Sequence, residues 1–156
     1  MAYNQYAQEL EGPVVPKNYA EMHITATATT VITVAGTYVK MAGTTTVDSA
    51  LNFSASGNNR IICDNLVTTN YLLILSCAVQ STSNNHTLAM RIYKNGVAET
   101  SSTMSQRAET ANAPCGINLN QIISLAKDDY IEVWLTNITT NNNLTAINAT
   151  LSIVEI

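Results

Sequence analysis

The amino-acid sequence predicts an all-β protein whose strands form an antiparallel β-sandwich, and three observations support this. Thr and Asn account for 39 of the 156 residues, whereas Asp, Glu, Lys, Arg and His together supply only 20. That composition favours strands and polar turns over surface helices, which are normally rich in Glu and Lys. Short β-branched segments recur at close spacing, and no long window has the 3.6-residue apolar period of a helix. Roughly eight to ten short strands at this spacing are typical of a sandwich.

The first 18 residues differ from the rest of the chain and are predicted to form an extended arm. Pro13 and Pro16 forbid a continuous helix or a central strand in this stretch. Its apolar side chains could be buried against a neighbouring surface; they are Tyr3, Tyr6, Leu10, Val14 and Val15. The alternative is a frayed chain end. Residues 19–156 are long enough for one hydrophobic core and form the single predicted domain.

In the first half of this domain, short β-branched segments are separated by turn residues. Ala35-Gly36 and Gly57-Asn58-Asn59 supply turn chemistry between neighbouring segments. The strands expected there cover residues 19–25, 29–34, 37–41, 51–54 and 60–64.

Residues 71–80 form the most hydrophobic run of the sequence. One face carries Tyr71, Leu73, Leu75, Cys77 and Val79, and the other carries Leu72, Ile74, Ser76 and Ala78. A strand that is apolar on both faces lies in a sandwich interior or at a subunit interface. The sequence therefore assigns Tyr71, Leu73, Leu75 and Cys77 to the core or to such an interface.

The second half continues the strand pattern to the last residue. Asn95-Gly96 follows an alternating segment and predicts a tight hairpin, because both turn residues must take positive φ. Residues 117–125 alternate less regularly. In residues 130–138, Ile131, Val133 and Leu135 face away from Trp134, and in residues 144–156 Leu151 lies on the apolar face. Trp134 and Leu151 are accordingly added to the residues predicted for the core or an interface.

The sequence lacks the residue clusters that catalysis or cofactor binding requires. His23 and His86 lie far apart without a metal-binding or nucleophile motif, and the six glycines form no phosphate-binding loop. Cys63, Cys77 and Cys115 have no CxxC pair, which favours reduced, buried thiols. Asp128-Asp129 is better explained as a polar turn than as a calcium site. We therefore expect no enzyme activity, no metal and no cofactor.

Charge and hydropathy exclude two classes of partner. The formal charge is -4 and the seven basic residues are scattered, so the basic footprint of a nucleic-acid-binding protein is missing. No apolar run reaches the roughly 18 residues of a membrane-spanning segment, and residues after Met1 do not form a secretion signal.

The Asn-rich segment 141–143 is interpreted as a solvated connection between strands. The alternative is an exposed tip that contacts glycan or a host surface.

Several segments of the sequence resemble small structural proteins of tailed bacteriophages with a jelly roll of the C1q/tumour-necrosis-factor type. The segments are Tyr19-Ala20-Glu21-Met22-His23, Thr29-Thr30-Val31-Ile32, Ala35-Gly36-Thr37-Tyr38-Val39-Lys40, residues 71–79, Tyr93-Lys94-Asn95-Gly96, Lys127-Asp128-Asp129-Tyr130-Ile131-Glu132-Val133 and Ala149-Thr150-Leu151-Ser152-Ile153. The family usually has Gly-Asp before the penultimate strand, whereas this chain has Asp128. Asp tolerates the left-handed conformation that such a turn needs. The resemblance implies a ten-stranded jelly roll that assembles as a homotrimer.

The resemblance also implies a place in a virion. The first hypothesis is a trimeric capsid decoration (cement) protein that binds the major capsid protein of a phage head, is anchored partly by its arm, and is made in the host cytoplasm. The alternative is the tip of a head fibre or tail fibre that contacts the host. A third hypothesis, a glycan-active enzyme, requires two converging carboxylates, and no pair in the sequence indicates them.

Overall fold

The computed structural model describes residues 17–57 and 59–156, and these residues form two antiparallel sheets packed face to face. Sheet A has the strand order β11 (Cys115–Leu125), β7 (Thr69–Ser81), β13 (Leu144–Glu155), β1 (Tyr19–Thr27) and β4 (Gly43–Leu51), and β2 (Thr29–Thr30) pairs with β13. Sheet B has the order β10 (Met104–Ala108), β8 (His86–Lys94), β12 (Tyr130–Asn137), β6 (Arg60–Cys63) and β5 (Phe53–Ala55), with β3 (Val39–Lys40) on β12 and β9 (Val97–Ala98) on β8. A 3-10 turn, Thr100–Ser102, precedes β10. The predicted all-β antiparallel sandwich is confirmed.

The core between the sheets follows from the two-residue alternation of the strands. On β7 the side chains from Tyr71 to Val79 on one face are at most 3% exposed, while those on the other face are partly or fully exposed. Phe53 packs edge-on against Tyr71, with ring centroids 5.2 Å apart. The long central strands of the two sheets thus bury one face each, as the sequence predicts for residues 71–80.

Two turns adopt the backbone conformations that their residues favour. Asn95 and Gly96 have φ of 53° and 75°, which is the pattern of a type I′ hairpin, and they join β8 to β9. Asp128 has φ of 68° in the turn before β12, so Asp replaces the expected Gly without losing the left-handed conformation. Both turn predictions are confirmed.

The strand predicted over residues 29–34 is wrong beyond Thr30. The chain leaves sheet A there and crosses the end of the sandwich to reach β3 in sheet B. Side-chain and loop contacts replace the ladder, because Ile32 N–H donates to Asn143 Oδ1 (3.0 Å) and Gly36 N–H donates to Asn137 O (2.9 Å). Ile32 is 2% exposed and closes this end of the core.

No helix in the described part of the chain is long and apolar enough to cross a membrane.

Candidate functional surfaces

The residues predicted for the core or an interface divide into two groups. Tyr71, Leu73, Leu75, Cys77 and Leu151 are all buried between the sheets. Trp134 is only half-buried, and it lies on the outer face of sheet B instead of in the core. The alternation along β12 explains this position, because Val133 and Leu135 take the inward positions on either side of it. The arm residues Tyr3, Tyr6, Leu10, Val14 and Val15 lie outside the described residues.

The chain enters the sandwich one residue before the predicted domain boundary. Asn18 is 8% exposed, its N–H donates to Glu155 Oε2 (2.9 Å), and its Oδ1 accepts from Asn52 Nδ2 (2.6 Å). Asn18, which the sequence places in the arm, therefore packs with the end of β13 and the turn after β4. A truncation that is meant to keep these contacts therefore has to end before Asn18.

The outer face of sheet A carries a row of apolar side chains that crosses five adjacent strands. The strand registers place Ile122 beside Leu72, Leu72 beside Val154, Val154 beside Tyr19, and Tyr19 beside Leu51. In the single chain Ile122 is 59% exposed, Val154 41% and Tyr19 40%. We call these five residues the apolar row. It is an extended apolar strip with nothing covering it in the described residues, which is the usual character of an interaction surface.

The rest of this face is mostly neutral and polar. Along β11 and β7, Asn118 accepts a hydrogen bond from Ser76 (2.7 Å). Ile74 lies on the same face of β7 as Leu72, two residues further along the strand and outside the apolar row. Charge appears towards β4, where His23 Nδ1 is 2.5 Å from Asp48 Oδ2. Because interface centres are depleted of charged residues, the β11–β7–β13 part of the face suits a protein contact better than the β1–β4 part.

The outer face of sheet B is different, since a buried carboxylate there holds two cations. Glu132 is 3% exposed, and its Oε1 lies 2.7 Å from Lys40 Nζ and 2.8 Å from Arg60 Nη2. Trp134 Nε1 donates to the other carboxylate oxygen at 3.2 Å. Burial by itself raises the pKa of the Glu132 carboxyl, but the hydrogen bonds from Lys40, Arg60 and Trp134 outweigh it, so the pKa lies below its usual value. Glu132 is therefore held ionised.

Aromatic rings extend this cluster across the same face. Tyr93 stacks on Trp134 at a centroid distance of 4.1 Å, and Tyr38 lies 6.4 Å from Tyr93. The Arg91 guanidinium sits 4.2 Å from the Tyr38 ring centroid. The charged cluster, which we define as Glu132 with Lys40, Arg60 and Arg91, carries three cations and one carboxylate. Sequence reasoning missed it, because its members come from four separate strands or loops and no local motif joins them.

At the Asn-rich end, the loop after β12 is held by the side chain of Asn137. Asn137 Oδ1 accepts from the N–H groups of Thr139 and Thr140, both at 3.1 Å. This fixes the amide orientation, so Asn137 Nδ2 donates to His86 Nδ1 (3.1 Å). His86 Nδ1 is the acceptor of this hydrogen bond. His86 serves the loop architecture here, and it lies on sheet B while His23 lies on sheet A.

We expect Asn137→Ala to loosen this loop. The substitution removes the acceptor of two backbone N–H groups and the donor to His86, and Asn137 is fully buried, so about 2 kcal/mol of unfolding free energy should be lost. Urea unfolding measures the loss, and hydrogen exchange at the Thr139 and Thr140 amides locates it. Asn84→Ala, at an exposed position of the β7–β8 turn, is the matched control and should change neither. Unchanged exchange in Asn137→Ala would contradict the role given to this side chain.

Asp129 and the three cysteines are titratable residues whose surroundings the structure defines. No three His, Cys, Asp or Glu residues there come together as a metal site requires. Asp129 is engaged by Lys94 Nζ (2.8 Å), Asn95 Nδ2 (2.6 Å) and the N–H of Ala126 (2.8 Å). All three cysteines are free and buried, and burial raises the pKa of the Cys77 thiol to about 12. Such thiols are poor nucleophiles at neutral pH.

Solved structures, but not sequence comparisons, reveal proteins that are similar to this chain. No protein-family model matches the sequence, and no curated protein does. Among solved structures, the Eiger TNF of S. frugiperda is similar with a TM-score of 0.64 and 10% identity, over 91% of this chain and 94% of that one. The globular domain of the zebrafish complement 1qA protein is similar with a TM-score of 0.53 and 12% identity, over 88% and 95%.

A third similar structure is vertex protein P5 of PRD1. It has a TM-score of 0.53 and 12% identity, and the match covers 89% of this chain and 96% of that chain. At these identities the likeness concerns the fold. The sheet order, the near-complete coverage in each comparison and the shared architecture together show that this chain folds as an antiparallel jelly roll of the C1q/tumour-necrosis-factor type.

Proposed function

We propose that this chain is a structural protein of a virion, a homotrimer that sits on the capsid surface of a phage head as a decoration protein. It is made in the host cytoplasm, and its partners are two further copies of itself and the major capsid protein. The observation that carries the proposal is the apolar row on the outer face of sheet A. That row needs a protein surface to cover it, and a second copy of the same fold can supply one.

The features of the row match what cyclic assembly requires. It runs over the full width of the sheet, so one contact of this kind buries side chains from all five strands. The neutral β11–β7–β13 part of the face adjoins it, and no ion pair has to be desolvated there. A heterologous contact between the row of one copy and another surface of the next closes into a ring when the rotation fits.

Two observations support the virion. Vertex protein P5 of PRD1, a viral structural protein, has the same fold at nearly full coverage. The sequence also begins with 16 residues that precede the described sandwich and include Tyr3, Tyr6, Leu10, Val14 and Val15. In the proposal these side chains lie along the capsid, where apolar anchors strengthen attachment without changing the sandwich.

The test measures assembly and head binding on the same preparation. Sedimentation equilibrium of the full chain should give the mass of a trimer at micromolar concentration, and purified trimer should bind heads that lack decoration proteins. A monomeric mass, or a trimer that does not bind such heads, would overturn the proposal.

Removal of residues 1–16 is expected to leave a folded trimer that binds undecorated heads far more weakly. Lys17 and Asn18 stay in this variant, because Asn18 bonds to the sandwich. A full-length variant with Tyr3, Tyr6 and Leu10 changed to Ser is the matched control for length and should be weakened similarly. Head binding is measured by co-sedimentation. Binding as strong as that of the intact chain would reject the arm as an anchor.

The fibre-tip function is the second candidate, and the open polar surface at the Asn-rich end favours it. That surface is formed by Gln80 of β7 and the loop 141–143, and it faces outward from the end of the sandwich. As isolated protein, a fibre tip would adsorb to host cells, whereas a decoration protein would bind phage heads and would not adsorb to host cells. Running both binding assays with one preparation separates the two functions.

A further inference from the structure

A cavity of 420 Å³ opens at the Asn-rich end of the sandwich, between sheet A and two loops. All of its lining residues are neutral amides or hydroxyls: Thr29, Gln80, Thr82, Asn141, Asn142, Asn143 and Thr145. Its size falls in the range of small-molecule sites. A lining without carboxylates, cations or aromatic rings restricts the ligand chemistry that fits.

Regular sheet structure forms one side of this cavity. Thr29 pairs with Thr145, and Thr145 pairs with Gln80, so three neighbouring strands present these side chains as one row. Positions on paired strands are fixed by the backbone ladder and not by loop packing. The cavity therefore has a rigid floor of two hydroxyls and one amide.

The other side is a loop that its own hydrogen bonds hold in place. Asn143 Oδ1 accepts from Ile32 N–H (3.0 Å), and Asn142 Nδ2 donates to Ser83 Oγ (2.6 Å). Asn142 N–H also donates to Thr140 Oγ1 (3.2 Å). These bonds use one side-chain group of Asn142 and one of Asn143, and they leave Asn142 Oδ1 and Asn143 Nδ2 for another partner. The wall is thus ordered before any ligand arrives.

The polar groups of the remaining lining side chains are also available to a ligand. Within the described residues, the side chains of Thr29, Gln80, Thr82, Asn141 and Thr145 hydrogen-bond to no other protein group. Amides carry separate donors and acceptors, and hydroxyls act as both. Such a surface matches a ligand whose own groups both donate and accept, and it offers no counter-charge to an ion.

We propose that this cavity binds a neutral carbohydrate, with Gln80, Thr145 and the 141–143 loop as hydrogen-bonding partners for its hydroxyl groups. An anionic sugar would bring a charge that nothing in the lining neutralises, and an aliphatic ligand would leave the amides unpaired. The site does not depend on the proposed assembly, because Gln80 is eight residues along β7 from Leu72 of the apolar row, roughly 26 Å at strand spacing.

The experiment screens the full-length protein on an array that carries neutral oligosaccharides of glucose, galactose, mannose and N-acetylglucosamine beside sialylated and sulfated ones. We expect binding to at least one neutral structure. Titration of that oligosaccharide into isotope-labelled protein should shift the side-chain amide signals of Gln80 and Asn141. Binding confined to the acidic structures, or no binding to any structure, would overturn the proposal.

Gln80→Ala and Thr145→Val test the two positions on the rigid floor. Each removes hydrogen-bonding groups from a paired strand position, and each should weaken the sugar affinity about tenfold, the effect of one lost hydrogen bond of about 1.4 kcal/mol. Gln106→Ala, an exposed position on β10 of sheet B away from the cavity, is the matched control and should bind as the unchanged protein does. Circular dichroism verifies the fold of each variant. Full affinity in both floor variants would place the sugar elsewhere and refute the site.

Discussion

Ile122→Asp is expected to dissociate the proposed trimer into folded monomers. Ile122 is 59% exposed in the single chain, so the substitution leaves the core between the sheets untouched. In an assembly that covers the apolar row, each copy would bury an unpaired carboxylate. A cost of about 2 kcal/mol per copy, repeated in three copies, weakens the trimer about 10⁴-fold. Sedimentation velocity at micromolar concentration measures the change, and Val154→Asp should repeat it from the centre of the row.

Val97→Asp is the matched control for these substitutions. Val97 is 68% exposed on the β8–β9 hairpin at sheet B, so the same aliphatic-to-acid change is made on a different surface. It should leave the trimer intact. A trimer that persists in Ile122→Asp and Val154→Asp would show that the apolar row is not an interface, and dissociation by Val97→Asp would place the contact at the hairpin.

The elements that sequence reasoning predicted are those whose cause is local. The inward face of residues 71–79 follows from alternation alone, and the Asn95-Gly96 hairpin follows from two residues that tolerate positive φ. Asp128 shows the same logic, since the turn needs a conformation and not a particular residue. Such features depend on neighbours within a few positions and are therefore visible in one sequence.

Edge strands and crossings were harder to predict because their cause is remote. β4 is rich in Thr, which favours a strand, but none of its residues is buried, so residues 43–51 lack a clear apolar face; the ladder with β1 makes the segment a strand. β10 likewise has a single buried residue, Ala108. The segment after Thr30 has high strand propensity, yet it crosses to the other sheet because Asn143 and Asn137, more than 100 positions later, bind its backbone.

The candidate surfaces were predictable only in part for the same reason. The polar 141–143 segment is visible as an Asn-rich stretch, but its cavity requires Thr29 and Gln80 from two other strands. The apolar row consists of one residue from each of five strands, and only the strand registers bring the five together. The alternation of residues 130–138 sets Trp134 opposite Val133 and Leu135, and the burial of those two side chains shows that Trp134 lies on the outer face.

The double substitution Lys40→Met with Arg60→Met is expected to destabilise the sandwich and to reverse the contribution of Glu132 to the pH dependence of its stability. In the unchanged protein the pKa of Glu132 lies below its unfolded-chain value of 4.5. The folded state then binds this proton less readily than the unfolded chain, so Glu132 contributes stability above pH 4.5 that is lost as the pH falls towards the lower folded pKa.

Without both cations the sign changes. Glu132 is 3% exposed and keeps only the Trp134 donor, so burial dominates and its pKa rises above the unfolded-chain value. The contribution of Glu132 to the stability of the variant is then greatest in acid and is lost as the pH rises from the unfolded pKa to the folded one. The loss at pH 7 is limited by the cost of protonating the carboxyl, about 3 kcal/mol for a group with the usual pKa.

Urea unfolding between pH 4 and pH 7 measures both slopes, and a third variant separates charge from packing. Met keeps an unbranched side chain of similar length at both positions, so the apolar contacts of Lys40 and Arg60 are largely preserved. Adding Glu132→Gln to the double variant removes the buried charge and should restore most of the stability at pH 7 while removing the contribution of Glu132 to the pH dependence, because a neutral amide needs no cation. A double variant with the same pH dependence as this triple variant would mean that the two cations do not govern the ionisation of Glu132, and that the charged cluster does not support sheet B.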